Sequence, residues 1–265
     1  IQEAVRIVML DQINIQDVIS IAKKAGDAIM KIYDQDFEVE YKKDRSPLTL
    51  ADKKANKIIE TDLSNLLVSF PILSEEGEKI PYEERRYWEY FWLIDPLDGT
   101  KEFIKKNDEF TVNIALIHKN IPVLGVVFAP ALNVCYWAKQ GDGAFKDGQR
   151  LPLKMVDQRA AYKIVASRSH MSDNTQIFID SITTNKKKKL IFIGSSLKIC
   201  LVAEGEADIY PRLGPTMEWD TGAAHAIINE SGKILVKYAK INTREELTYN
   251  KESILNQWFV VKDKL

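Results

Sequence analysis

The stretch WLIDPLDGTKEF, residues 92–103, ends an apolar run on two acids that stand three residues apart. The apolar letters indicate the end of a buried strand, and the proline and glycine that follow favour a turn. Because proline restricts the turn, Asp95 and Asp98 can point to the same side as the carbonyl of Leu97. Gly99 then allows the backbone to come close to a ligand. The stretch therefore predicts either a simple acidic turn or half of an oxygen-rich binding site.

Further acids occupy similar positions elsewhere in the chain. Asp52 lies in SPLTLAD, Glu75 and Glu76 lie in SEEG, and Asp220 lies in EWDTGAAHA. Each stands where the pattern predicts that a helix or strand starts or stops. Carboxylates at the ends of elements can converge on one point, whereas acids in the middle of a helix mostly face water.

Convergence of these carboxylates would require a cation, since close carboxylates repel one another and raise each other's pKa. Oxygen ligands of this kind suit Mg²⁺, which keeps several waters and shares its remaining positions with a substrate phosphate. Zinc normally recruits histidine or cysteine, and the sequence clusters neither with the acids. The pattern therefore favours a magnesium site.

Each acid also has a purely local explanation. Asp52 follows Thr49 by three residues and would complete a capping box at a helix start. The DPLDG segment would form a β-turn, Asp220 would cap the helix that begins near it, and one of Glu75 and Glu76 would be a surface acid. These alternatives stay open residue by residue, but four separate caps do not explain the buried strands that lead into the acids.

Periodicity predicts a different arrangement in each half of the chain. Helical spacing covers residues 14–33 and again 51–70, and three β-rich runs within 109–139 predict an antiparallel meander. The segment KQGDGAFKDGQRLPL is rich in turn residues, and beyond it strands and helices alternate. We therefore expect an α/β (α+β) fold with an N-terminal half at 1–150 and a C-terminal α/β half at 151–265.

Composition excludes several classes of protein. The 265 residues include 37 basic and 38 acidic side chains, so there is no global field to attract nucleic acid. The lysine run at 186–189 is interpreted as a solvated loop that leads into a strand. Cys135 and Cys200, both in apolar surroundings, are expected to be buried thiols, and no apolar run approaches a transmembrane length. We expect a cytoplasmic protein, with peripheral association at the inner membrane left open, and the oligomeric state is not readable.

The motifs DPLDGTKEF, SPLTLAD, LSEE and WDTGAAHA, in their order along the chain, resemble the inositol monophosphatase superfamily of Mg²⁺-dependent, lithium-sensitive phosphatases. More narrowly, DPLDGTKEFIKKNDEFTVNIALI, ASRSH and GSSLKICLVAEGEADIYPRLGPT resemble the bacterial 3'(2'),5'-bisphosphate nucleotidases of the CysQ type. The resemblance implies a layered αβαβα sandwich whose first half holds most metal ligands. It also implies two or three Mg²⁺ ions as cofactor.

The same resemblance assigns roles to the acids and the turn. Asp52 and Thr100 would orient and deprotonate the attacking water, and Glu75 would bridge metals and share in catalysis. The amides of Gly99 and Thr100 would receive phosphoryl oxygens. The metal ligands implied are Glu75, Asp95, the Leu97 carbonyl, Asp98 and Asp220, of which Glu75, Leu97, Asp98 and Asp220 would also contact the substrate.

Substrate selection is assigned by the resemblance to the second half. Ser195, Lys198 and Arg212 would hold a non-scissile 5'-phosphate, and His170 would lie near the adenosine together with Tyr210. Local explanations again exist, since Ser195 would serve as a helix N-cap and Lys198 as an exposed helix lysine. The other two histidines are assigned no ligand: His118 is expected at the surface, and His225 is expected to be structural packing.

The function implied is hydrolysis of adenosine 3',5'-bisphosphate to AMP and phosphate, with the sulfated analogue as a second substrate. An inositol monophosphatase or another sugar phosphatase of the superfamily is the close alternative. A module that binds phosphorylated small molecules without turnover is an alternative of another class. One departure from the family pattern is DTGAAH, where Asp-Thr-Ala-Ala-Gly-His is usual, so the approach of that helix is in question.

Overall fold

The computed structural model describes most of the chain, and for 39–41 and 47–49 it describes the backbone only. The described residues are 9–34, 39–41, 47–153, 160–167, 171–238 and 244–264. The helices are α1 Ile15–Tyr33, α2 Leu50–Ser64, α3 Tyr82–Arg85, α4 Thr100–Ile104, α5 Asp173–Ser181, α6 Leu197–Ala203 and α7 Glu218–Glu230. The strands are β1 Val39–Tyr41, β2 Pro47–Thr49, β3 Ile72–Ser74, β4 Tyr90–Asp98, β5 Thr111–His118, β6 Ile121–Ala129, β7 Val134–Lys139, β8 Gly143–Lys146, β9 Gln149–Arg150, β10 Ala161–Ala166, β11 Lys187–Phe192, β12 Ile209–Arg212, β13 Lys233–Lys237 and β14 Phe259–Asp263.

These strands form two large sheets and a short β1–β2 hairpin. The first sheet has seven strands in the order β3-β4-β5-β6-β7-β8-β9, in which β3 runs parallel to β4 and all other neighbours are antiparallel. The second has five strands in the order β11-β10-β12-β14-β13, and its first three strands are parallel. The predicted antiparallel meander therefore corresponds to β5, β6 and β7.

Alternation along β4 shows how the first sheet separates two cores. Trp92 and Ile94 belong to the apolar cluster that contains Ile29 of α1 and Ile59 of α2. Their neighbours along the strand, such as Leu93, belong to a second cluster with residues of α6, α7 and the five-stranded sheet. Side chains of a strand alternate between its faces, so both faces of this sheet are covered. Nearly every residue of β4 is buried as a result.

A third, smaller cluster completes the layering. Ile164 and Ile209, from the five-stranded sheet, pack there with Ile179 of α5. The order of layers is therefore α1 and α2, the seven-stranded sheet, α6 and α7, the five-stranded sheet, and α5. This confirms the predicted layered αβαβα architecture. The division at 150 falls between the two sheets, but whether the halves are separate domains stays a prediction.

Helix α7 lies very close to the first sheet because glycine stands at the contacts. A Cβ at Gly125 of β6 would approach the Ala223 carbonyl oxygen to 2.1 Å, and one at Gly222 would approach a methyl carbon of Leu93 to 2.9 Å. The unusual DTGAAH segment therefore still seats its helix tightly, with Gly222 against β4 and Ala224 buried at 1 % exposure. This contact sets the position of Asp220 in the first turn.

Two local predictions about elements were wrong. The second helix was predicted to carry a buried face through residue 70, but α2 ends at Ser64 and Leu67 is 88 % exposed. The lysine run was interpreted as a loop leading into a strand, whereas β11 begins at Lys187 and includes Lys189. Strand β11 is at the edge of its sheet, where charged side chains are tolerated and discourage pairing with other chains.

The prediction that His118 lies at the surface was also wrong. Its ring is buried, stacks on Tyr90 with centroids 4.1 Å apart, and contacts the Glu89 carboxylate at 3.4 Å. His225 is buried as expected, with Nδ1 2.9 Å from the Tyr249 hydroxyl. His118 is buried because the pairing of β4 with β5 places it against Tyr90, and this contact cannot be predicted from the residues next to His118 in the sequence.

The predictions that both cysteines are buried and that no segment has transmembrane length can be compared with the structure. Cys135 and Cys200 are both buried, as expected, and burial raises the pKa of Cys135 to about 12. Of the helices in the described part of the chain, none combines the length and the apolar character needed to cross a bilayer. The cellular location stays a prediction.

Candidate active site

Three aspartates from both halves of the molecule meet at the end of β4. One carboxylate oxygen each of Asp95, Asp98 and Asp220 lies within 4.8 Å of the other two. Asp95 is 1 % exposed, and the other two are half-buried. The end of β4 supplies the first two acids and the first turn of α7 supplies the third. The cluster therefore forms only when α7 is seated on the seven-stranded sheet.

The electrostatics of this cluster call for a cation. Burial raises the pKa of Asp95 well above its usual range, and the charges of Glu75, Asp98, Asp220 and Asp52 raise it further. Burial, followed by the charge of Asp98, raises the pKa of Asp220 to about 8. A divalent cation would remove this repulsion, and the donor set of carboxylate oxygens fits a hard cation such as Mg²⁺. The residues present therefore fit a magnesium site.

The turn after β4 is held by its own side chains. Asp95 Oδ1 accepts a hydrogen bond from the Leu97 amide at 3.1 Å, and the Thr100 hydroxyl donates to the Leu97 carbonyl at 3.3 Å. Gly99 adopts φ +92°, in the left-handed region that favours glycine. The pairing of β4 with β5 shifts register between Asp95 and Asp98. Asp95 and Asp98 both remain paired, to Asn113 and Thr111, and β4 carries one extra residue between them, as in the β-bulges often found near functional sites.

Asp220 performs the capping role that its position suggested, together with its place in the cluster. Its Oδ2 accepts a hydrogen bond from the Met217 amide at 2.8 Å at the start of α7. Asp52 is buried at 3 % exposure in the first turn of α2, and its charge contributes to the raised pKa of Asp95. Asp220 therefore both caps α7 and belongs to the cluster. Asp52 lies close enough for its charge to affect the pKa of Asp95.

Glu75 lies at the margin of the cluster. Its side chain is exposed, and it does not belong to the tight group of three aspartates. Its amide nevertheless donates to the Ile94 carbonyl at 3.3 Å, beside the end of β4. Its charge is the largest of the carboxylate contributions to the pKa of Asp95. The predicted role of Glu75 as a metal ligand stays a prediction.

A second, cationic region adjoins the acids. Ser195, Lys198 and Arg212 line a cavity of about 80 Å³ together with Asp98 and Asp220. The first three also line a cavity of about 150 Å³ beside Gly99. Burial lowers the pKa of Lys198, the charge of Asp98 partly opposes this, and the neighbouring Arg212 charge lowers the pKa further. An anion bound here would offset both of the lowering effects, so the region is suited to a phosphate.

The local alternatives for these side chains do not hold. The residue that precedes the first turn of α6 is Ser196, and only a long contact of 3.5 Å joins Ser195 Oγ to the Leu197 amide. Lys198 is half-buried rather than an exposed helix lysine. Tyr210 is buried at 2 % exposure, and its ring is edge-on to Phe259. Tyr210 and Phe259 both line the 80 Å³ cavity.

A larger cavity continues from Arg212 toward solvent. Its volume is about 570 Å³, and its lining includes Met171, Pro215 and Trp258. Trp258 is 39 % exposed, so part of its ring is available for contact. His170, which was predicted to lie near an adenosine, falls outside the described residues, although its neighbour Met171 lines this cavity. An apolar wall beside a cationic edge is the surface that an aromatic ring with a phosphate attached requires.

Comparison with known proteins identifies the fold family. The sequence model of the inositol monophosphatase family matches residues 10–258 of this chain. The chain belongs to the inositol monophosphatase family. Within this family, it is 48 % identical over 222 residues to the 3'(2'),5'-bisphosphate nucleotidase CysQ of Salmonella typhimurium, covering 82 % of this chain and 88 % of the relative. It is 46 % identical to the CysQ of Escherichia coli strain K12, covering 84 % of this chain and 88 % of that protein.

Solved structures of the inositol monophosphatase family agree with this assignment. The crystal structure of CysQ from Bacteroides thetaiotaomicron superposes with a TM-score of 0.84 at 44 % identity, covering 94 % of this chain and 97 % of that one. The Thermotoga maritima inositol monophosphatase structure superposes with a TM-score of 0.74 at 25 % identity, covering 94 % of this chain and 91 % of that one. Members of this family are metal-dependent, which agrees with the acidic cluster.

Ser196 and Asn113, which form a hydrogen-bonded chain to Asp98 of the acidic cluster, were not identified by the sequence analysis. Ser196 Oγ lies 2.8 Å from Asp98 Oδ2, and Asn113 Nδ2 lies 2.8 Å from Ser196 Oγ. Trp258, at the edge of the large cavity, was missed as well. One signal was available for Asn113, because it is the polar residue in the middle of the apolar run TVNIALI. The contacts of Ser196 arise from three elements distant in sequence and carry no local signal.

Proposed function

We propose that this chain hydrolyses adenosine 3',5'-bisphosphate to AMP and inorganic phosphate in a Mg²⁺-dependent reaction. The observation that carries the proposal is the juxtaposition of the acidic cluster with the cationic region, which share Asp98 and Asp220 in the lining of one cavity. The names of the CysQ relatives, which are 3'(2'),5'-bisphosphate nucleotidases, support the same activity. The sulfated analogue is proposed as a second substrate of the same site.

Two regions of opposite charge match a substrate with two phosphates. One phosphate belongs at the aspartates, where a cation mediates its contact with the protein. The other belongs at Ser195, Lys198 and Arg212, where the guanidinium group suits the paired oxygens of phosphate. The large cavity beside Arg212 would take the base, with Trp258 and Met171 against its faces. A substrate with a single phosphate would leave Lys198 and Arg212 without an anion.

The chemistry follows from what the residues can hold. Asp95, Asp98, Asp220, the Leu97 carbonyl and Glu75 would bind the Mg²⁺ ions. Such ions, when bound, polarise phosphoryl oxygens and lower the pKa of a coordinated water.

The residues around the metal ligands would position the substrate and the water. Asp52 and Thr100 would orient the attacking water and accept its proton, for which the Thr100 hydroxyl would have to turn from the Leu97 carbonyl to which it donates in this structure. The Gly99 and Thr100 amides would steady the phosphoryl oxygens.

Phosphate release from matched substrates tests the proposal. Adenosine 3',5'-bisphosphate and 3'-AMP carry the same scissile group and differ only in the 5'-phosphate. We expect a much higher kcat/KM for the bisphosphate with Mg²⁺, loss of activity in EDTA, and inhibition by Li⁺. In a Lys198→Ala, Arg212→Ala variant, kcat/KM for the bisphosphate should fall by roughly 100-fold, while that for 3'-AMP changes little.

The alternatives give different outcomes in the same assay. Faster release from inositol 1-phosphate than from the bisphosphate, with equal losses on both in the double variant, would favour an inositol or sugar phosphatase. Binding of the nucleotide with no phosphate release at any Mg²⁺ concentration would indicate a non-catalytic binding module. Either result would overturn the proposed activity.

A further inference from the structure

A buried chain of hydrogen bonds leads from β5 to the acidic cluster. The Thr111 hydroxyl donates to Asn113 Oδ1 at 3.0 Å, and Asn113 Nδ2 donates to Ser196 Oγ at 2.8 Å. Ser196 Oγ in turn lies 2.8 Å from Asp98 Oδ2 and 2.8 Å from the main-chain carbonyl oxygen of Asp220. Thr111, Asn113 and Ser196 are at most 3 % exposed. Water therefore does not compete for these contacts.

The direction of each hydrogen bond is determined by the groups around it. The amide nitrogen of Asn113 also lies 3.4 Å from Asp98 Oδ2, so the reverse orientation would set its oxygen against a carboxylate. With the nitrogen facing the cluster, Ser196 Oγ accepts a hydrogen bond from Asn113. The proton of the Ser196 hydroxyl is then left for Asp98 or for the Asp220 carbonyl. A carboxylate is the stronger acceptor, so the proton is directed to Asp98.

The backbone around Ser196 is arranged to make this contact. Ser196 occupies the N-cap position of α6, yet its side chain makes no capping hydrogen bond. Ser195, immediately before it, has φ +50°, a left-handed conformation that is unfavourable for a residue other than glycine. Ser195 lines both cavities of the cationic region, whereas Ser196 lines only the 80 Å³ cavity and contacts Asp98. Strain of this kind is common at functional sites.

We propose that Ser196, supported by Asn113, is a positioning residue that holds Asp98 in the arrangement that binds metal. Asp98 Oδ2 accepts from the Ser196 hydroxyl at 2.8 Å and lies 3.4 Å from Asn113 Nδ2, and these contacts restrict the orientation of the carboxylate. Ser196 stands at the start of α6 in the second half of the chain, so its hydrogen bond joins that half to the end of β4. Groups that orient metal ligands typically contribute tenfold to 100-fold to metal affinity. The inference rests on the metal-dependent function proposed above.

The test measures Mg²⁺ binding to the metal-free chain by calorimetry, without substrate. We expect Ser196→Ala to raise the Kd for Mg²⁺ by about tenfold or more. Ser196→Cys, which keeps a somewhat larger γ atom in the site but is a weak donor, should show a similar loss. The matched control is Ser231→Ala, because Ser231 is also buried, donates to the Ile228 carbonyl at 2.8 Å, and lies at the opposite end of α7. Its Kd should equal that of the wild-type chain.

A double-variant cycle separates positioning from simple loss of packing. If Asn113 acts through Ser196, combining Asn113→Ala with Ser196→Ala should raise the Kd little beyond the larger single effect. KM for the nucleotide at saturating Mg²⁺ should stay within about twofold of the wild-type value in Ser196→Ala, because Ser195, Lys198 and Arg212 are unchanged.

The outcomes that overturn the inference are distinct from those that overturn the function. Unchanged Mg²⁺ affinity in Ser196→Ala and Ser196→Cys, with a wild-type chain that binds Mg²⁺, would remove the positioning role. Equal losses in Ser196→Ala and Ser231→Ala would assign the effect to packing and also overturn it. A wild-type chain that binds no Mg²⁺ would instead overturn the proposed function. Circular dichroism of each variant checks that it is folded. If Ser196→Ala unfolds, Ser196→Cys replaces it in the comparison.

Discussion

Asp95 shows how a single residue serves both the turn and the charge of the site. It is 1 % exposed, and its Oδ1 accepts the hydrogen bond of the Leu97 amide. Asparagine at this position keeps the acceptor and the volume, and it removes one of several like charges. Asp95→Asn therefore separates the contribution of the hydrogen bond in the turn from the contribution of the negative charge.

We expect Asp95→Asn to lower phosphate release from adenosine 3',5'-bisphosphate by roughly 1,000-fold. Its melting temperature in EDTA should be no lower than that of the wild-type chain, since the variant relieves repulsion in the metal-free cluster. Activity assays and differential scanning calorimetry check both parts. Asp142→Asn, at an exposed turn, is the control and should change neither. A marked fall in melting temperature for Asp95→Asn would contradict this account of the cluster.

At the scale of an element, helix α7 depends on a glycine in the strand beneath it. The Cβ of alanine at Gly125 would stand 2.1 Å from the Ala223 carbonyl oxygen, which is backbone and cannot rotate away. The helix would have to lift from β6, and it carries Asp220 in its first turn. Packing of one element thus controls the geometry of the metal site.

We expect Gly125→Ala to destabilise the fold by about 1–3 kcal/mol or more, as overpacking does, and to weaken Mg²⁺ binding. Gly141→Ala is the control, because nothing lies within 4 Å of the added Cβ although φ is +90°. The free energy of unfolding of that variant should fall by only about 1 kcal/mol, which is the cost of placing alanine in a left-handed conformation. Its Mg²⁺ affinity should not change. Urea denaturation and calorimetric titration measure the two effects. Equal behaviour of the two variants would show that the close approach of α7 is unimportant.

At the scale of the whole molecule, the candidate site joins the two sheets. Asp98 ends a strand of the seven-stranded sheet, and Asp220 belongs to the helix layer between the sheets. A cation bound between them would favour the folded state, because the unfolded chain does not bring these acids together.

We expect Mg²⁺ at about 100 times its Kd to raise the melting temperature by roughly 5–10 °C relative to EDTA. Asp220→Asn should abolish most of that increase, and KCl at equal ionic strength should not reproduce it. Scanning calorimetry provides the measurement. An equal rise in Asp220→Asn and the wild-type chain would place the stabilising cation elsewhere.

The α/β class and the acidic cluster were predictable because their signals are local, whereas the layered αβαβα arrangement was implied by the resemblance to the family. Strands that end on acids, glycines at tight turns and the order of the motifs are read from neighbouring letters. The helix end at Ser64 and the burial of His118 were not predictable, since they depend on which elements pack against those segments. The same holds for the lysine run, whose strand character comes from pairing of β11 with β10.

The sequence by itself determined the types of element, the turn of residues 92–103, and the set of acids that could share a cation. Only the tertiary structure decided which of those acids meet closely and what holds them there. Asp95, Asp98 and Asp220 form the tight group, while Glu75 lies at its margin. The physical reason is that hydrogen bonds and close packing between distant segments, such as those of Ser196, exist only after the layers have assembled.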